Sequence, residues 1–380
     1  MKYLKHKYSL ISALLVTGIT MTSCANYPYS PDTSVQRIEA SPQYRDGKFH
    51  NKVQTQVFSL EGMWNGMKEV VFNKHPDSTP ASEIPIVSVQ QRQFSGIQPE
   101  SNVRFTRLGH STLLIRLGQQ NWLTDPVFSE RVSPLQWIGP KRFHDVPLDL
   151  NDLPDITGVV ISHNHYDHLD EGSIKLLSNK VQHFVVPLGI GDSLREWGVE
   201  EGKIIELDWW QDFEVAGVQV VSTPAQHFSG RGITDGDETL WSSWVIRTNE
   251  AAVYFSGDTG YFEGFKEIGE RFGPFDYAFM ECGAYNEQWR DIHMLPEDTL
   301  QAFLDVKGKV LVPVHNSTFD LSTHAWYDPY VQINALAQQH GVELLTPVIG
   351  NTVDSSQPIS NFTSLWWQPN TISQIDTEEK

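Results

Sequence analysis

The sequence is poor in cysteine, in positive charge and in long hydrophobic runs. Its 380 residues include two cysteines, Cys24 and Cys282, so at most one intrachain disulfide can form. Lysine and arginine number 28 against 47 aspartates and glutamates, and the net charge of −19 argues against nucleic-acid binding through phosphate neutralisation. With 39% hydrophobic residues and no apolar run of bilayer-spanning length, the composition predicts a folded, soluble body.

The first residues have the pattern of an export signal. Three lysines precede the apolar-biased run 10–21, and small residues follow before Cys24. The tetrad Met-Thr-Ser-Cys that ends at Cys24 resembles a bacterial lipobox, in which the cysteine becomes the lipidated first residue of the mature protein. We therefore expect a signal peptide over 1–23 and a lipid anchor on Cys24; plain secretion and an uncleaved anchor are the alternatives.

These features predict an exported protein held in the bacterial cell envelope. Ala25 follows the cysteine where a retention aspartate would stand, which favours the outer membrane, on its periplasmic side. If Cys24 is acylated, Cys282 has no partner for a disulfide. Its position in the apolar run 277–282 predicts a small buried side chain.

The chain divides by composition into an extension, a main domain and a tail. Residues 24–100 are rich in Pro, Ser, Gln and Asn, which predicts a lipid-anchored tether and an N-terminal extension wrapped on the main domain. Apolar positions between 58 and 71 predict one helix in this extension. The main domain spans 101–353, and the tail, 354–380, is expected to be weakly ordered.

The main domain is predicted to have an α/β (α+β) fold, with sheets packed as a sandwich and helices outside. The predicted strands are 103–108, 113–117, 122–124, 158–162, 184–187, 218–222, 244–248, 253–256, 277–281 and 310–314. The predicted helices are 172–178, 189–197, 262–272, 296–306 and 329–340. Early strands follow one another closely and later ones alternate with helices, which favours a sandwich over a doubly wound sheet.

The strongest functional signal is the cluster SHNHYDHLD at 162–170, directly after an apolar run. Side chains two residues apart in an extended segment share a face, so His163 and His165 can point the same way, while Asp167 and His168 reach a second position nearby. Imidazole nitrogens and carboxylate oxygens suit zinc or a similar divalent ion. Four ligands in two separate pairs exceed what one metal needs, so the cluster predicts two metals; a solvated polar loop is the alternative.

Further ligands are expected at strand ends downstream. His227, Asp258 and His315 each follow a β-like run, where a rigid sheet can hold a side chain to the tolerance that a metal requires. Taken singly, each is more often a helix cap or a surface residue. They become ligand candidates because the cluster at 162–170 needs partners.

Longer stretches of the main domain agree with a known family. They are LTDP at 123–126, GPKRF at 139–143, ELDWW at 206–210, WSSW at 241–244, GDTGY at 257–261 and RFGPFD at 271–276. With the histidine cluster, they make the region 103–350 resemble the metallo-β-lactamase-fold hydrolases, and within them the N-acylphosphatidylethanolamine-hydrolysing phospholipase D group and its bacterial relatives. The resemblance implies the metallo-β-lactamase αββα sandwich, with two mixed β-sheets and helices on the outer faces.

The resemblance also implies roles for individual side chains. Two zinc ions are implied per chain, and their ligands are His163, His165 and His227 for the first, Asp167, His168 and His315 for the second, and Asp258 for both. Asp125 is implied to orient a ligand histidine through the other ring nitrogen, although it also fits a turn before Pro126. His293 matches a family histidine near the substrate, although a helix cap or a surface position also fits it. Iron or manganese is an alternative metal for an aspartate-bridged site.

The implied reaction is the hydrolysis of a lipid phosphodiester. Two zinc ions would generate hydroxide from a bridging water, with Asp167 or Asp258 as proton acceptor. His293 is the candidate for binding the phosphate or protonating the leaving oxygen. The expected substrate is an N-acylated ethanolamine phospholipid or a related lipid phosphodiester, cleaved to N-acylethanolamine and phosphatidic acid by an enzyme anchored at the membrane surface.

Other functions fit the same residues. A lactonase or a different phosphodiesterase is an alternative, because a binuclear metal site can support the attack of water on a carbonyl carbon as well as on phosphorus. A non-catalytic zinc-binding envelope lipoprotein is the non-enzyme alternative. No nucleic-acid partner is expected, and an oligomer is compatible with the sequence. Some tryptophans fit either an acyl groove or, more commonly, core packing: Trp209, Trp210, Trp241, Trp244 and Trp289.

Overall fold

A computed structural model describes residues 31–55, 69, 72–94 and 103–368. The segment assigned as a signal peptide, the expected lipidation site Cys24 and most of the helix predicted between 58 and 71 lie outside these residues. In the extension, helix α1 (Pro31–Glu39) is followed by a hairpin of β1 (Tyr44–Arg45) and β2 (Lys48–Phe49). Within the described ranges, no helix has both the length and the apolar content needed to cross a bilayer.

The first large sheet contains the early strands of the main domain and one late strand. These strands are β3 (Val103–Gly109), β4 (Thr112–Leu117), β5 (Gln120–Thr124), β6 (Ile156–Val160), β7 (Val181–Pro187), β8 (Ile204–Leu207) and β16 (Thr352–Asp354). Their order is β16-β3-β4-β5-β6-β7-β8. Pairing is antiparallel from β16 to β5 and parallel from β5 to β8, so the sheet is mixed.

The second large sheet is also mixed. Its strands are β9 (Asp212–Val215), β10 (Val218–Thr223), β11 (Ser243–Arg247), β12 (Ala252–Phe255), β13 (Phe275–Glu281), β14 (Gly308–Val314) and β15 (Glu343–Leu344). Their order is β15-β14-β13-β12-β11-β10-β9, antiparallel from β9 to β12 and parallel from β12 to β15. The remaining helices are α2 (Glu171–Leu177), α3 (Gly191–Glu196), α4 (Gly264–Phe272), α5 (Pro296–Asp305) and α6 (Asp328–His340).

The two sheets pack face to face with helices on both outer faces. The core between the sheets joins Phe105 and Trp122 of the first sheet to Trp244 and Phe279 of the second. Successive side chains of a strand point to opposite faces, so the neighbouring residues of the same strands pack outward. Outside the first sheet they meet α2 and α3, and outside the second they meet α4, α5 and α6. The predicted αββα sandwich is therefore confirmed.

The pattern of the sequence locates most elements of the main domain. Every predicted strand and helix is present, with ends that differ by a few residues. β8, β9, β15 and β16 are not predicted, and each is the outermost strand at one end of its sheet. They include acidic residues, Glu206 in β8 and Glu214 in β9, which interrupt the hydrophobic pattern in the way that edge strands commonly do. Cys282 is buried, as expected.

The tail is more ordered than the sequence predicts. β16 pairs with β3, and Asp354 makes an ion pair with Arg104. Trp366 and Trp367 are buried against Tyr330 of α6 and its neighbours. The expectation of weak order is wrong for residues 354–367, because their aromatic side chains pack on an apolar surface that exists only in the tertiary structure.

Candidate metal centre

The candidate site lies along one edge of the sandwich, where strands of both sheets end. In the first sheet, Asp125 follows β5 and the cluster at 162–170 follows β6. In the second sheet, the loops after β10, β12, β13 and β14 carry His227, Asp258, His293 and His315. These strands run parallel to one another within each sheet, so their carboxyl ends meet at the same edge.

Three histidines form the first group of the site. Nε2 of His163 lies 2.8 Å from Nδ1 of His165, and that atom lies 3.3 Å from Nε2 of His227. Ligand atoms around a tetrahedral zinc with bonds of about 2.0–2.1 Å are separated by roughly 3.4 Å. The three nitrogens are therefore arranged so that one metal ion can bind all of them.

Asp167, His168 and His315 form the second group, and Asp258 stands between the two groups. Asp167 Oδ2 lies 3.4 Å from His168 Nε2 and 3.2 Å from His315 Nε2. Asp258 Oδ2 lies 3.1 Å and 2.9 Å from the same two nitrogens. The same oxygen is 3.9 Å from Nε2 of both His163 and His227. The structure thus brings together all seven side chains that were expected to bind metal, with Asp258 between the two groups.

Asp125 orients one histidine from each group. Its buried carboxylate accepts hydrogen bonds from Ser162 N and Ser162 Oγ, both at 2.6 Å, and from His168 Nδ1 at 2.7 Å. Because Ser162 Oγ donates to Asp125, it accepts from His163 Nδ1 at 2.9 Å. Both rings are therefore held with Nε2 toward the site. His227 is oriented differently, since its Nδ1 donates to the backbone oxygen of Ile292 at 3.0 Å.

Burial and charge act differently on the two groups. Burial lowers the pKa of His163 and His227 well below the ordinary value and that of His165 to about 4, so these rings are neutral and can offer a lone pair. Burial also opposes protonation of His168 and His315. There, Asp258 and Asp167 outweigh burial, raising the pKa of His168 well above the ordinary value and that of His315 to about 10. The carboxylates thus attract positive charge, which a divalent cation can supply in place of the protons.

The donor set fits two divalent cations. Overlapping sets of histidine and carboxylate ligand atoms lie within 4.8 Å of one another in this region. Among the residues that the structure describes, Asp258 Oδ1 is a buried atom without a hydrogen-bond partner. Buried polar atoms normally have a partner, and a metal ion would provide one here.

Sequence reasoning missed His110, which follows β3. Its Nε2 lies 3.0 Å from Asp167 Oδ2, and its ring centroid is 4.1 Å from that of His315. Burial lowers the pKa of His110 to about 3, so the ring is neutral and its Nε2–H can donate to Asp167. The available signal was a histidine at the end of an apolar strand, the same signal that identified His227 and His315.

Glu281 was also missed, and it is the partner of His293. The ring centroid of His293 lies 5.1 Å from that of His227 and 5.4 Å from that of His315, so this histidine belongs to the site. Glu281 ends β13, is fully buried and accepts a hydrogen bond from His293 Nδ1. The sequence offered a signal for Glu281, an acidic residue within the apolar run 277–282. A carboxylate that is buried in such a strand needs a hydrogen-bond partner nearby.

The N-terminal extension contacts the site through Asn51. Asn51 Nδ2 donates to the backbone oxygen of His227 at 2.7 Å, and Asn51 Oδ1 accepts from the backbone nitrogen of His227 at 3.1 Å. Asn51 Oδ1 also accepts from Trp241 Nε1 at 3.0 Å. A cavity of about 370 Å³ opens beside these contacts, between the hairpin and the loop that carries His227. The described part of the extension therefore supports a candidate ligand directly.

We expect Asn51→Ala to weaken metal binding by the group that contains His227. Loss of both backbone hydrogen bonds frees the His227 loop, and the affinity for zinc should fall about tenfold, as for other groups that support a ligand. Competition with a chromogenic chelator measures this affinity. Asn73→Ala is the control, since Asn73 also lies in the extension and its side chain donates to Glu69 of the same segment. Equal zinc affinity in both variants would contradict the role of Asn51.

Most of the tryptophans considered for an acyl groove belong to the core. Trp244 lies between the sheets, and Trp209 and Trp241 pack with Phe49 of the hairpin. Trp210 is partly buried, with the guanidinium of Arg271 4.0 Å from its ring centroid.

The sequence has clear relatives. A model of the β-lactamase superfamily domain matches residues 120–316. An uncharacterised protein of Mycobacterium tuberculosis is 40% identical over 337 residues, which cover 87% of this chain and 88% of that protein. N-acyl-phosphatidylethanolamine-hydrolyzing phospholipase D 1 of Caenorhabditis elegans is 33% identical over 319 residues, which cover 78% and 88% of the two chains. The chain belongs to the β-lactamase superfamily, as its motifs predicted.

A solved structure agrees with this assignment at the level of the fold. Igni18, a metallo hydrolase from the archaeon Ignicoccus hospitalis, superposes with a TM-score of 0.51 at 22% identity, covering 66% of this chain and 97% of that chain. The family match, the relation to the C. elegans phospholipase and this likeness of fold agree. The chain is a metal-dependent hydrolase of the metallo-β-lactamase fold.

Proposed function

We propose that this protein is a zinc-dependent phosphodiesterase of the phospholipase D type that cleaves N-acylphosphatidylethanolamine to N-acylethanolamine and phosphatidic acid. The observation that carries the proposal is the position of Asp258 Oδ2, within 3.9 Å of histidine nitrogens from both groups. Two-metal sites that cleave phosphodiesters hold their ions about 3.5–4 Å apart, and a carboxylate between the two ligand groups would suit such a spacing. The relation to the C. elegans phospholipase supports a lipid substrate.

Seven side chains would hold the two zinc ions in the proposed enzyme. They are His163, His165 and His227 for one ion, Asp167, His168 and His315 for the other, and Asp258 for both. When bound, the ions supply hydroxide at neutral pH and offset negative charge on the phosphoryl oxygens. Asp125 keeps His163 and His168 in the orientation that metal binding requires.

His293 would handle the proton of the reaction. Its Nδ1 donates to Glu281, so Nε2 is the ring nitrogen that remains for the substrate side. The water oxygen bonds to phosphorus while the bond from phosphorus to the ethanolamine oxygen breaks. Nε2 would give a proton to the departing ethanolamine oxygen, and Asp167 or Asp258 would accept the proton of the attacking water.

The lipid anchor on Cys24 is part of the same proposal. The net charge of −19 would repel the protein from anionic lipids, and an acyl anchor would hold it at the surface that contains its substrate. The proposal assigns the enzyme to the bacterial cell envelope, on the periplasmic side of the outer membrane.

The test compares a lipid substrate with lactones. Full-length protein in detergent is incubated with N-acylphosphatidylethanolamine or with a lactone panel, before and after chelation and after zinc is added back. Zinc per chain is measured by plasma emission. His163→Ala is the inactive reference, and His183→Ala is the matched control, because His183 lies on β7 against Phe213 and outside the site.

We expect about two zinc ions per chain and release of N-acylethanolamine that stops on chelation and returns with zinc. His163→Ala should abolish the release, and His183→Ala should retain it. Turnover of lactones alone would overturn the substrate, and two bound zinc ions without any turnover would overturn the catalytic proposal.

A further inference from the structure

Glu281 lies beside the candidate metal centre and contacts several of the loops that carry its residues. Its Oε2 accepts a hydrogen bond from the backbone nitrogen of Thr259, the residue after Asp258, at 2.6 Å. Its Oε1 accepts from His293 Nδ1 and lies 4.0 Å from Nδ1 of His315. One carboxylate therefore contacts the loops after β12 and β13 and approaches the ring of a candidate ligand after β14.

The backbone of Glu281 is held as firmly as its side chain. Its nitrogen donates to Ser256 Oγ at 2.8 Å, and its oxygen accepts from Thr299 Oγ1 at 2.8 Å. In the parallel ladder it pairs with Val314, the residue before His315. The carboxylate therefore has a defined position relative to both Asp258 and His315.

A buried carboxylate at this position is costly to the fold. Its side chain is fully buried, and both the loss of hydration and the nearby carboxylate of Asp258 oppose a negative charge there. An apolar residue of similar size would avoid both penalties. The retained carboxylate is therefore explained best by what it does for its partners.

The partner that depends on it most is His293. The ring of His293 is half-buried, and its Nδ1 hydrogen bond to Glu281 determines which ring nitrogen carries the hydrogen. Without an acceptor at Nδ1, the other tautomer is no longer disfavoured, and the ring loses the contact that defines its rotation. Glu281 is less suited to be a metal ligand, because both of its oxygens already accept hydrogen bonds.

We propose that Glu281 is a positioning residue that sets the tautomer and orientation of His293 and ties this ring to the loops that carry Asp258 and His315. Its kinetic test rests on the proposed hydrolase function, and its spectroscopic test does not. This role is distinct from metal binding. A variant of Glu281 should therefore change the tautomer of His293 without changing the zinc content.

The test uses the full-length zinc-loaded protein and four variants: Glu281→Gln, His293→Ala, the double variant and Thr299→Val. Histidine is labelled with ¹⁵N, and long-range proton–nitrogen spectra report the tautomer of each ring; the signal that disappears in His293→Ala identifies His293. Zinc per chain is measured on the same samples. Kinetics are followed with N-acylphosphatidylethanolamine and with the soluble probe bis(4-nitrophenyl) phosphate.

We expect the native protein to hold the hydrogen of His293 on Nδ1, and Glu281→Gln to lose this preference while keeping the native zinc content. Its kcat should fall about 10- to 100-fold with KM changed less than about threefold. In the His293→Ala background the same substitution should change kcat less than about twofold, because the residues act as a unit. Thr299→Val removes a hydrogen bond to the Glu281 backbone without touching the carboxylate, and should leave the tautomer unchanged.

Loss of zinc from Glu281→Gln would overturn the proposal in favour of a direct role at the metal. An unchanged tautomer, or losses that multiply in the double variant, would also overturn it. If Glu281→Gln does not fold, Glu281→Asp replaces it, because the shorter side chain keeps the charge but withdraws from Nδ1. Failure of the native enzyme to hydrolyse either substrate would refute the proposed function, while the spectra would still decide the role of Glu281.

Discussion

Asp258→Ala is expected to lower the zinc content from about two ions per chain to one or fewer, and to reduce hydrolysis by on the order of a thousandfold or more. The reason is geometric, since Asp258 Oδ2 is the atom that approaches nitrogens of both groups. Without it, His168 and His315 lose one of the carboxylates that attract a cation to them. Plasma emission and a hydrolysis assay on the same preparation measure both effects.

The control for this prediction is Asp192→Asn, which removes an aspartate whose side chain is 70% exposed and paired with Arg195 at 2.8 Å. Exposed pairs of this kind contribute little to stability, so zinc content and activity should stay at the native level. Native zinc content in Asp258→Ala would show that the two groups bind metal without a bridge. Native activity would remove Asp258 from the mechanism altogether.

Asp125→Asn is expected to weaken zinc binding about 10- to 100-fold, because Asp125 orients the rings of two candidate ligands. The amide has one oxygen, whereas Ser162 N, Ser162 Oγ and His168 Nδ1 all donate to Asp125. At least one donor then faces an NH₂ group in a buried site, which should lower the free energy of unfolding by about 1–3 kcal/mol. Chelator competition measures the affinity, and denaturant unfolding in excess chelator measures the stability.

Asp170→Asn separates stability from metal binding. Asp170 is also buried, and it caps α2 by accepting from Ser173 N at 3.1 Å. The amide cannot accept all the hydrogen bonds that Ser129 and Ser173 donate to the Asp170 carboxylate, so the protein should be destabilised by about 1–3 kcal/mol, with zinc affinity within about twofold of native. If the two variants lose zinc affinity equally, the effect of Asp125 is general destabilisation and not orientation of the rings.

Most strands and helices of the main domain could be predicted from the sequence, because each depends on the pattern of a short stretch of residues. Apolar runs of five to seven residues, such as those ending at Glu281 and Val314, satisfy strand periodicity without knowledge of their neighbours. The edge strand β9 was not readable, since its side chains are at most partly buried and include acidic groups. The pairing of β16 with β3 joins residues at opposite ends of the main domain, which no local pattern encodes.

The candidate metal ligands could be predicted from the sequence for a different reason. Histidine and aspartate are uncommon at the end of an apolar strand, so His163, His227 and Asp258 stand out against their surroundings. His110 also follows a strand, but β3 contains two arginines and is less apolar. Only the structure shows that its Nε2 lies 3.0 Å from Asp167 Oδ2. Asn51 carries no signal at all, because an asparagine in a polar extension is ordinary.

The sequence by itself determined the fold class, the order of the main elements and the candidate ligands, because each depends on periodicity or on residue types at one position of the chain. Only the tertiary structure decided that Asn51 holds the backbone of His227, 176 residues away. It also decided that Glu281 holds His293 and approaches His315. These contacts depend on how two sheets pack and where their loops meet, and that packing is a property of the folded chain as a whole.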